Sequence, residues 1–168
     1  MKLREGMNVM GQEIERKYLI KNMPDLSLYE SKKLMQGYLC TDPTVRVRKE
    51  DDEYYMTYKR KGGDNPAAKE EYNLFLSKEA FEKLIKKSDG NIISKTRYLI
   101  PIGTSTQGNN LVAELDVFDA PFAPLKFIEV EFQSISEMNE FIPPEWFGED
   151  VTDNPDYYNS NMSKKEFA

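Results

Sequence analysis

Charged residues recur two positions apart along this chain: Glu13, Glu15 and Lys17; Arg46 and Arg48; Lys59 and Lys61; Lys95 and Arg97; Glu114 and Asp116; Glu129 and Glu131; and, more weakly, Glu71 with Asn73. Side chains alternate between the two faces of a strand, so each set projects to one side. Ile14, Val47, Leu115, Val117, Ile128, Val130 and Phe132 then project to the other. A solvated polar face would hold Thr, Ser and Gln as readily, and like charges side by side repel unless a ligand relieves them. Except where Lys17 follows Glu13 and Glu15, the signs also segregate by strand, acids with acids and bases with bases. Such a face suits a polyanion together with cations. Glu13, Glu15, Asp116, Glu129 and Glu131 offer the hard oxygen donors that Mg²⁺ or Mn²⁺ prefer. Lys17, Arg46, Arg48, Lys59, Lys95 and Arg97 would meet phosphate oxygens, arginine through paired bonds and lysine as a point charge. Three phosphates in a row match six cations plus metal.

The composition removes competing chemistries. The sequence has 168 residues and no histidine, which excludes Ser-His-Asp and Cys-His nucleophiles and every His-containing zinc site. The one cysteine, Cys40, cannot close an intramolecular disulfide or form a Cys-rich cluster, and reads as a small buried or strand-edge residue. With 23 basic and 29 acidic side chains the net charge is -6, which disfavours a nonspecific nucleic-acid binder. No apolar run is long enough for a membrane span or a secretory leader, so the expectation is a cytoplasmic protein without a membrane partner.

The elements that must position these charges read as follows. Residues 1–11 are expected to be an extended or disordered leader, 12–161 a single domain, and 162–168 a tail. Alternation predicts strands over 12–20, 33–40, 44–49, 53–61, 69–76, 91–102, 110–118 and 125–133. Ser77 is expected to cap a helix running to Lys87, with Phe81, Leu84 and Ile85 as its apolar stripe. Ser134 and Glu137 have capping-box spacing for a second helix ending near Phe141, before Pro143-Pro144, and the tail from Asn154 is expected to form a last polar helix. Strands without regular helix alternation give the α+β class, and an eight-stranded antiparallel barrel with a few flanking helices fits best.

The ordered motifs resemble one family. Glu13-Ile14-Glu15-Arg16-Lys17 is similar to the ExExK signature of the CYTH superfamily, the triphosphate tunnel metalloenzymes. Gln36-Gly37-Tyr38-Leu39, Val45-Arg46-Val47-Arg48, Met56-Thr57-Tyr58-Lys59, Lys95-Thr96-Arg97-Tyr98, Glu114-Leu115-Asp116-Val117-Phe118 and Ile128-Glu129-Val130-Glu131-Phe132 follow in the family's order. The resemblance covers residues 12–161 and is greatest to the short bacterial inorganic triphosphatases, helped by Pro143-Pro144-Glu145-Trp146-Phe147-Gly148. It implies a β-tunnel, dependence on Mg²⁺ or Mn²⁺ with two ions, and hydrolysis of a terminal phosphoanhydride, with inorganic tripolyphosphate giving pyrophosphate and phosphate. A homodimer is implied by the resemblance only.

Several alternatives stay open: a class IV adenylate cyclase, a thiamine or nucleoside triphosphatase, and a barrel that binds polyphosphate without turnover. Within the expected site, one ion bridges triphosphate oxygens and carboxylates, and the second acidifies the attacking water. Lys17 reads as a phosphate ligand or a general base, and Tyr38 as a proton-handling group or a packed ring. Asn73 stands where a second carboxylate is expected after Glu71, and Glu71, Glu114 and Lys61 complete the outer candidates.

Overall fold

A computed structural model describes residues 11–61 and 69–167. Ten strands are present: β1 (Gly11–Gln12), β2 (Glu15–Ile20), β3 (Glu30–Thr41), β4 (Thr44–Glu50), β5 (Glu53–Lys61), β6 (Lys69–Phe75), β7 (Ile93–Thr104), β8 (Asn110–Phe118), β9 (Lys126–Glu131) and β10 (Phe147–Asp150). Three short helices accompany them, α1 (Lys78–Ile85), α2 (Ile135–Glu140) and α3 (Asn159–Met162). Single 3₁₀ turns occupy Leu26–Leu28 and Pro155–Tyr157. All strand pairings below are antiparallel, and the class is α+β as the sequence suggested.

The described residues fall into two compact units. Of the described residues the first takes 11–13, 34–61, 69–93 and 158–167, the second 14–33 and 94–157. Strand order in the first is β1-β6-β5-β4-β3 and in the second β7-β8-β9-β2-β10.

In the first unit, the two-residue turn at Asp51-Asp52 fixes the β4–β5 hairpin. Asp51 takes the left-handed conformation there (φ 50°), which aspartate tolerates better than most residues. The resulting register sets Arg46 opposite Thr57 and Arg48 opposite Tyr55. Helix α1 starts where Ser77 accepts a hydrogen bond from the Ala80 N–H, and it packs on β4 and β5 with Phe81 against the Tyr54 ring, centroids 5.3 Å apart. Gly90 (φ 80°) follows this helix, and a side chain there would meet the Ser163 carbonyl at 2.1 Å. Asn91 completes the contact: its N–H donates to Ser163 O at 2.6 Å and its amide to Lys165 O at 2.6 Å, which fixes the C-terminal segment to this unit.

The second unit holds a continuous apolar core. Ile14, Tyr18, Ile100, Leu111, Ala113, Leu115, Ile128, Val130, Phe132 and Phe147 are all buried in it. Apart from Phe147 of β10, these are the uncharged alternates along the segments that carry Lys17, Lys95, Arg97, Asp116 and Glu129, so burial of one face orients the other. α2 begins with the expected cap: Ser134 Oγ accepts from the Glu137 N–H, and Glu137 reaches back to the Gln133 N–H at 2.6 Å.

Several boundaries differ from the sequence reading. The first strand is two, because the chain leaves the ladder at Glu13–Ile14, and Gly11, assigned above to the leader, pairs with Glu71 in β1. The rest of the leader, residues 1–10, lies outside the described residues. β10 was not anticipated. It pairs with β2, where Gly148 approaches the Leu19 backbone so closely that a Cβ would stand 3.1 Å from it. The expected eight-stranded barrel is therefore corrected to ten strands. Among the described residues β1 pairs with β6 and β10 with β2, so each five-strand run ends at an edge instead of returning on itself. The tail boundary also moves, since Met162 ends α3 and Met162 and Ser163 are buried.

Candidate active site

The second unit brings six of the candidate side chains into one network. Register places Arg97 opposite Asp116, Glu114 opposite Glu129, and Lys17 opposite Glu129. Asp116 is wholly buried and takes two cations: Lys95 Nζ donates to its Oδ2 at 2.6 Å, while Arg97 donates through Nε and Nη2 to Oδ1 and Oδ2 at 2.7 and 2.9 Å. This fork is the geometry that arginine and carboxylate share. Arg97 also contacts Glu114 through Nη1 and approaches Glu129 at 3.5 Å. Lys17 Nζ lies 3.3 Å from Glu129, donates to the Tyr157 carbonyl at 2.6 Å, and stands 4.5 Å from the centre of the Phe127 ring.

Burial opposes ionisation of these groups and the cations overcome it. For Asp116, burial would raise the carboxyl, but Arg97 and Lys95 hold it below the usual range. For Glu129, burial is again opposed by Lys17, Arg97 and Lys95, which hold it far below. Glu114 behaves differently. Burial lifts it, Arg97 opposes, and Glu131, Glu129 and Asp116 add to the rise, leaving it at about 7 instead of 4.5. Arg97 cannot neutralise three carboxylates at once.

That difference has a sign. A carboxyl whose folded-state value is raised contributes stability below its ordinary value and loses it as pH rises through the folded one. Metal-free protein is therefore expected to lose up to about 3 kcal/mol of stability between about pH 5 and pH 7, and Glu114→Gln to flatten that slope in urea titrations. Asp116 and Glu129 are held low and act in the opposite sense, losing their contribution only in more acidic solution.

The metal candidates divide. Glu15 lies opposite Glu131 in the β2–β9 register, and Glu13 immediately precedes Ile14, whose carbonyl accepts from the Phe132 N–H at 2.8 Å. Chain continuity thus sets Glu13 beside the pair, and one oxygen from each of the three lies within 4.8 Å of the others. Three carboxylates at this spacing fit a hard divalent cation such as Mg²⁺ or Mn²⁺. Asp116 and Glu129, grouped with them in the sequence reading, have their oxygens turned to lysine and arginine.

The first unit carries the remaining cations. Arg48 donates from Nε to Gln36 Oε1 at 2.9 Å and from Nη1 to the Tyr55 hydroxyl at 3.3 Å; Tyr55 passes its own proton to Glu50 at 2.9 Å. Arg46 Nη2 meets the Thr57 hydroxyl at 3.3 Å. Lys59 Nζ lies 2.6 Å from Glu13 and 3.6 Å from Glu71. Burial and the nearby Arg46 would lower this lysine, but Glu13 and Glu71 outweigh them and hold it above the usual range. Tyr38 is buried in β3 with its hydroxyl 3.4 Å from Gln36 Nε2. The side chain of Lys61 lies outside the described residues.

Gln36 and Thr57 stand within motifs quoted above, but neither they nor Tyr55 were among the candidate site residues. The signal was present, since Tyr55 and Thr57 are the alternates preceding Lys59 and Gln36 precedes Tyr38 by two, but uncharged polar side chains do not stand out on a strand.

A family model described as the CYTH domain matches residues 11–158. The chain belongs to the CYTH family. Two relatives of this CYTH chain are named inorganic triphosphatase. One, from Nitrosomonas europaea, is 40% identical over 155 residues, spanning 90% of this chain and 96% of the relative. The other, from Acetivibrio thermocellus, is 31% identical over 160 residues, spanning 94% and 97%. The crystal structure of the inorganic triphosphatase NE1496 is similar to the CYTH chain with a TM-score of 0.66 at 36% identity, covering 95% of this chain and 99% of that one. Metal dependence is a property of the CYTH triphosphate tunnel enzymes, and the Glu13, Glu15 and Glu131 group supplies a donor set for it here. No helix among the described residues is long and apolar enough to cross a membrane.

Proposed function

We propose that this CYTH domain, residues 12–161, hydrolyses the terminal phosphoanhydride of inorganic tripolyphosphate to pyrophosphate and phosphate, using Mg²⁺ or Mn²⁺ with two ions. The observation that carries the reading is the set of buried cations: Lys17, Arg46, Arg48, Lys95 and Arg97 are each at most 8% exposed. Desolvating five cations is costly, and counter-ions within the fold offset only part of that cost. A polyanionic substrate is what such a set would receive. The names of the two relatives, matched over nine-tenths of the chain, support the same substrate class.

In this reading Lys17, Arg46, Arg48, Lys59, Lys95 and Arg97 hold phosphate oxygens. Their positions are set before substrate arrives, so they stabilise the charge that develops on the transferred group without reorganising. Glu13, Glu15 and Glu131 would hold metal, with Glu71 and Glu114 at its margin. When bound, the cation supplies positive charge against the triphosphate oxygens and acidifies water. Asp116 and Glu129 act on Lys95, Arg97 and Lys17 as fixed counter-ions that hold them in place. Lys17 serves as a phosphate ligand, with Glu129 and the Tyr157 carbonyl sharing its protons, and Tyr38 packs beside Gln36. The protein pairs as a homodimer in this reading, as the family resemblance implies.

The test is to incubate the protein with tripolyphosphate, ATP, thiamine triphosphate or pyrophosphate, each with Mg²⁺ or Mn²⁺, and to resolve products by ion-exchange chromatography. Metal-dependent pyrophosphate and phosphate from tripolyphosphate, formed far faster than any product from ATP, is the expected result. Cyclic AMP from ATP would make the protein a cyclase. Tight binding of tripolyphosphate with no product would leave a polyphosphate-binding protein without turnover.

A further inference from the structure

We infer that Asn73 is a positioning residue of the proposed triphosphate site, because its amide holds the Glu71 carboxylate without placing a second negative charge in line with Arg46. The inference rests on the triphosphate reading and concerns how this chain tunes its affinity for a polyanion.

Strand register builds the arrangement. Arg46 on β4 lies opposite Thr57 on β5, and Thr57 lies opposite Asn73 on β6, so the three side chains form a row across the sheet. Arg46 Nη2 donates to Thr57 Oγ1 at 3.3 Å, Thr57 donates to Asn73 Oδ1 at 2.6 Å, and Asn73 Nδ2 donates to Glu71 Oε1 at 2.9 Å. The direction of this relay is fixed by chemistry. A guanidinium only donates and a carboxylate only accepts, so the threonine must pass its single proton onward and the amide must turn its NH₂ toward Glu71. An amide is the side chain of this size that accepts on one side and donates on the other with no charge.

A carboxylate at position 73 would break both features. It would face Glu71 acceptor to acceptor, and its charge would neutralise Arg46 from the far end of the row. With asparagine the negative charge stays at Glu71, which Lys59 already meets at 3.6 Å. Arg46 is consistent with this role. Its Nε is buried and has no hydrogen-bond partner among the described residues. A desolvated donor without an acceptor is unfavourable, and an oxygen of the bound polyanion would relieve it.

The experiment measures the binding of tripolyphosphate with Mg²⁺ by titration calorimetry, and KM and kcat where turnover occurs, in wild type, Asn73→Asp and Asn73→Ala. Alanine removes the relay without adding charge, while aspartate keeps the shape and adds charge. Asn73→Asp is expected to weaken binding and raise KM roughly tenfold beyond Asn73→Ala, with kcat changed by less than about threefold. Equal losses in the two variants, or an Asn73→Asp affinity within about twofold of wild type, would overturn the inference and leave the triphosphatase reading intact. If wild type binds tripolyphosphate without hydrolysing it, the hydrolase reading fails and the comparison of dissociation constants still decides the role of Asn73. If wild type neither binds nor hydrolyses it, both readings fall. Should Asn73→Asp not fold, Asn73→Ser together with Asn73→Glu carries the same contrast of neutral against charged.

Discussion

Asp116→Ala is expected to cost the folded protein about 3–5 kcal/mol, as seen when one member of a buried ion pair is removed and its partner is left uncompensated. Lys95 is 1% exposed and its Nζ sits 2.6 Å from Asp116; Arg97 makes two further bonds to the same carboxylate. Removing Asp116 takes one buried carboxylate from both cations at once, leaving Arg97 with Glu114 and Glu129. Asp116→Asn keeps the shape but not the charge and should be nearly as destabilising. Combining Asp116→Leu with Lys95→Met should recover part of the loss, because an apolar pair needs no counter-ion. Urea denaturation of the metal-free protein at neutral pH reads all three variants against wild type. A loss below about 1 kcal/mol for Asp116→Ala would mean that the aspartate is not the hub of this network.

Glu131→Gln and Glu15→Gln should have the opposite profile. These residues oppose each other in register, Glu15 half-buried and Glu131 exposed, so two like charges face one another in the metal-free protein. Neutralising either one is expected to leave stability unchanged or to raise it by up to about 1 kcal/mol. The same changes should reduce metal-dependent turnover of tripolyphosphate at least about a hundredfold, since they remove a donor from the carboxylate group proposed to hold the cation. Thermal melts with and without Mg²⁺ supply a second readout: wild type should gain melting temperature with Mg²⁺, and the variants should gain little. Wild-type turnover together with a wild-type Mg²⁺ shift in both variants would remove these carboxylates from the site.

Alternation explains why much of this was legible in sequence. Lys95 with Arg97, Glu114 with Asp116, and Glu129 with Glu131 carry their face assignment locally, two residues apart, and the strands drawn from them lie within a few residues of β7, β8 and β9. Partners between distant strands were not legible. Nothing near Lys17 announces that the Tyr157 carbonyl, 140 residues away, accepts its proton, or that Gln36 is the acceptor for Arg48. The division of the carboxylates, some turned to lysine and arginine and others grouped, depends on β-sheet register, which a single strand does not encode. β10 escaped because Pro143-Pro144 reads as a stop, and four residues after it carry too little alternation to mark a strand. Asn73 was legible as a departure, but its meaning came only with Thr57 and Arg46 lined up beside it.

The fork between Arg97 and Asp116, and the Lys95 ammonium held against the same carboxylate, have a thermodynamic consequence for any guest of this face. Long cationic side chains ordinarily surrender rotamer freedom when they close on an anion, at a cost of up to about 2 kcal/mol each. Here that freedom is lost during folding, when Asp116 fixes both side chains, and little remains to be lost on association. The balance of binding then shifts toward stripping water from the incoming phosphates and from the lysine and arginine heads. Calorimetry on such a face should find entropy, released with that water, among the favourable contributions.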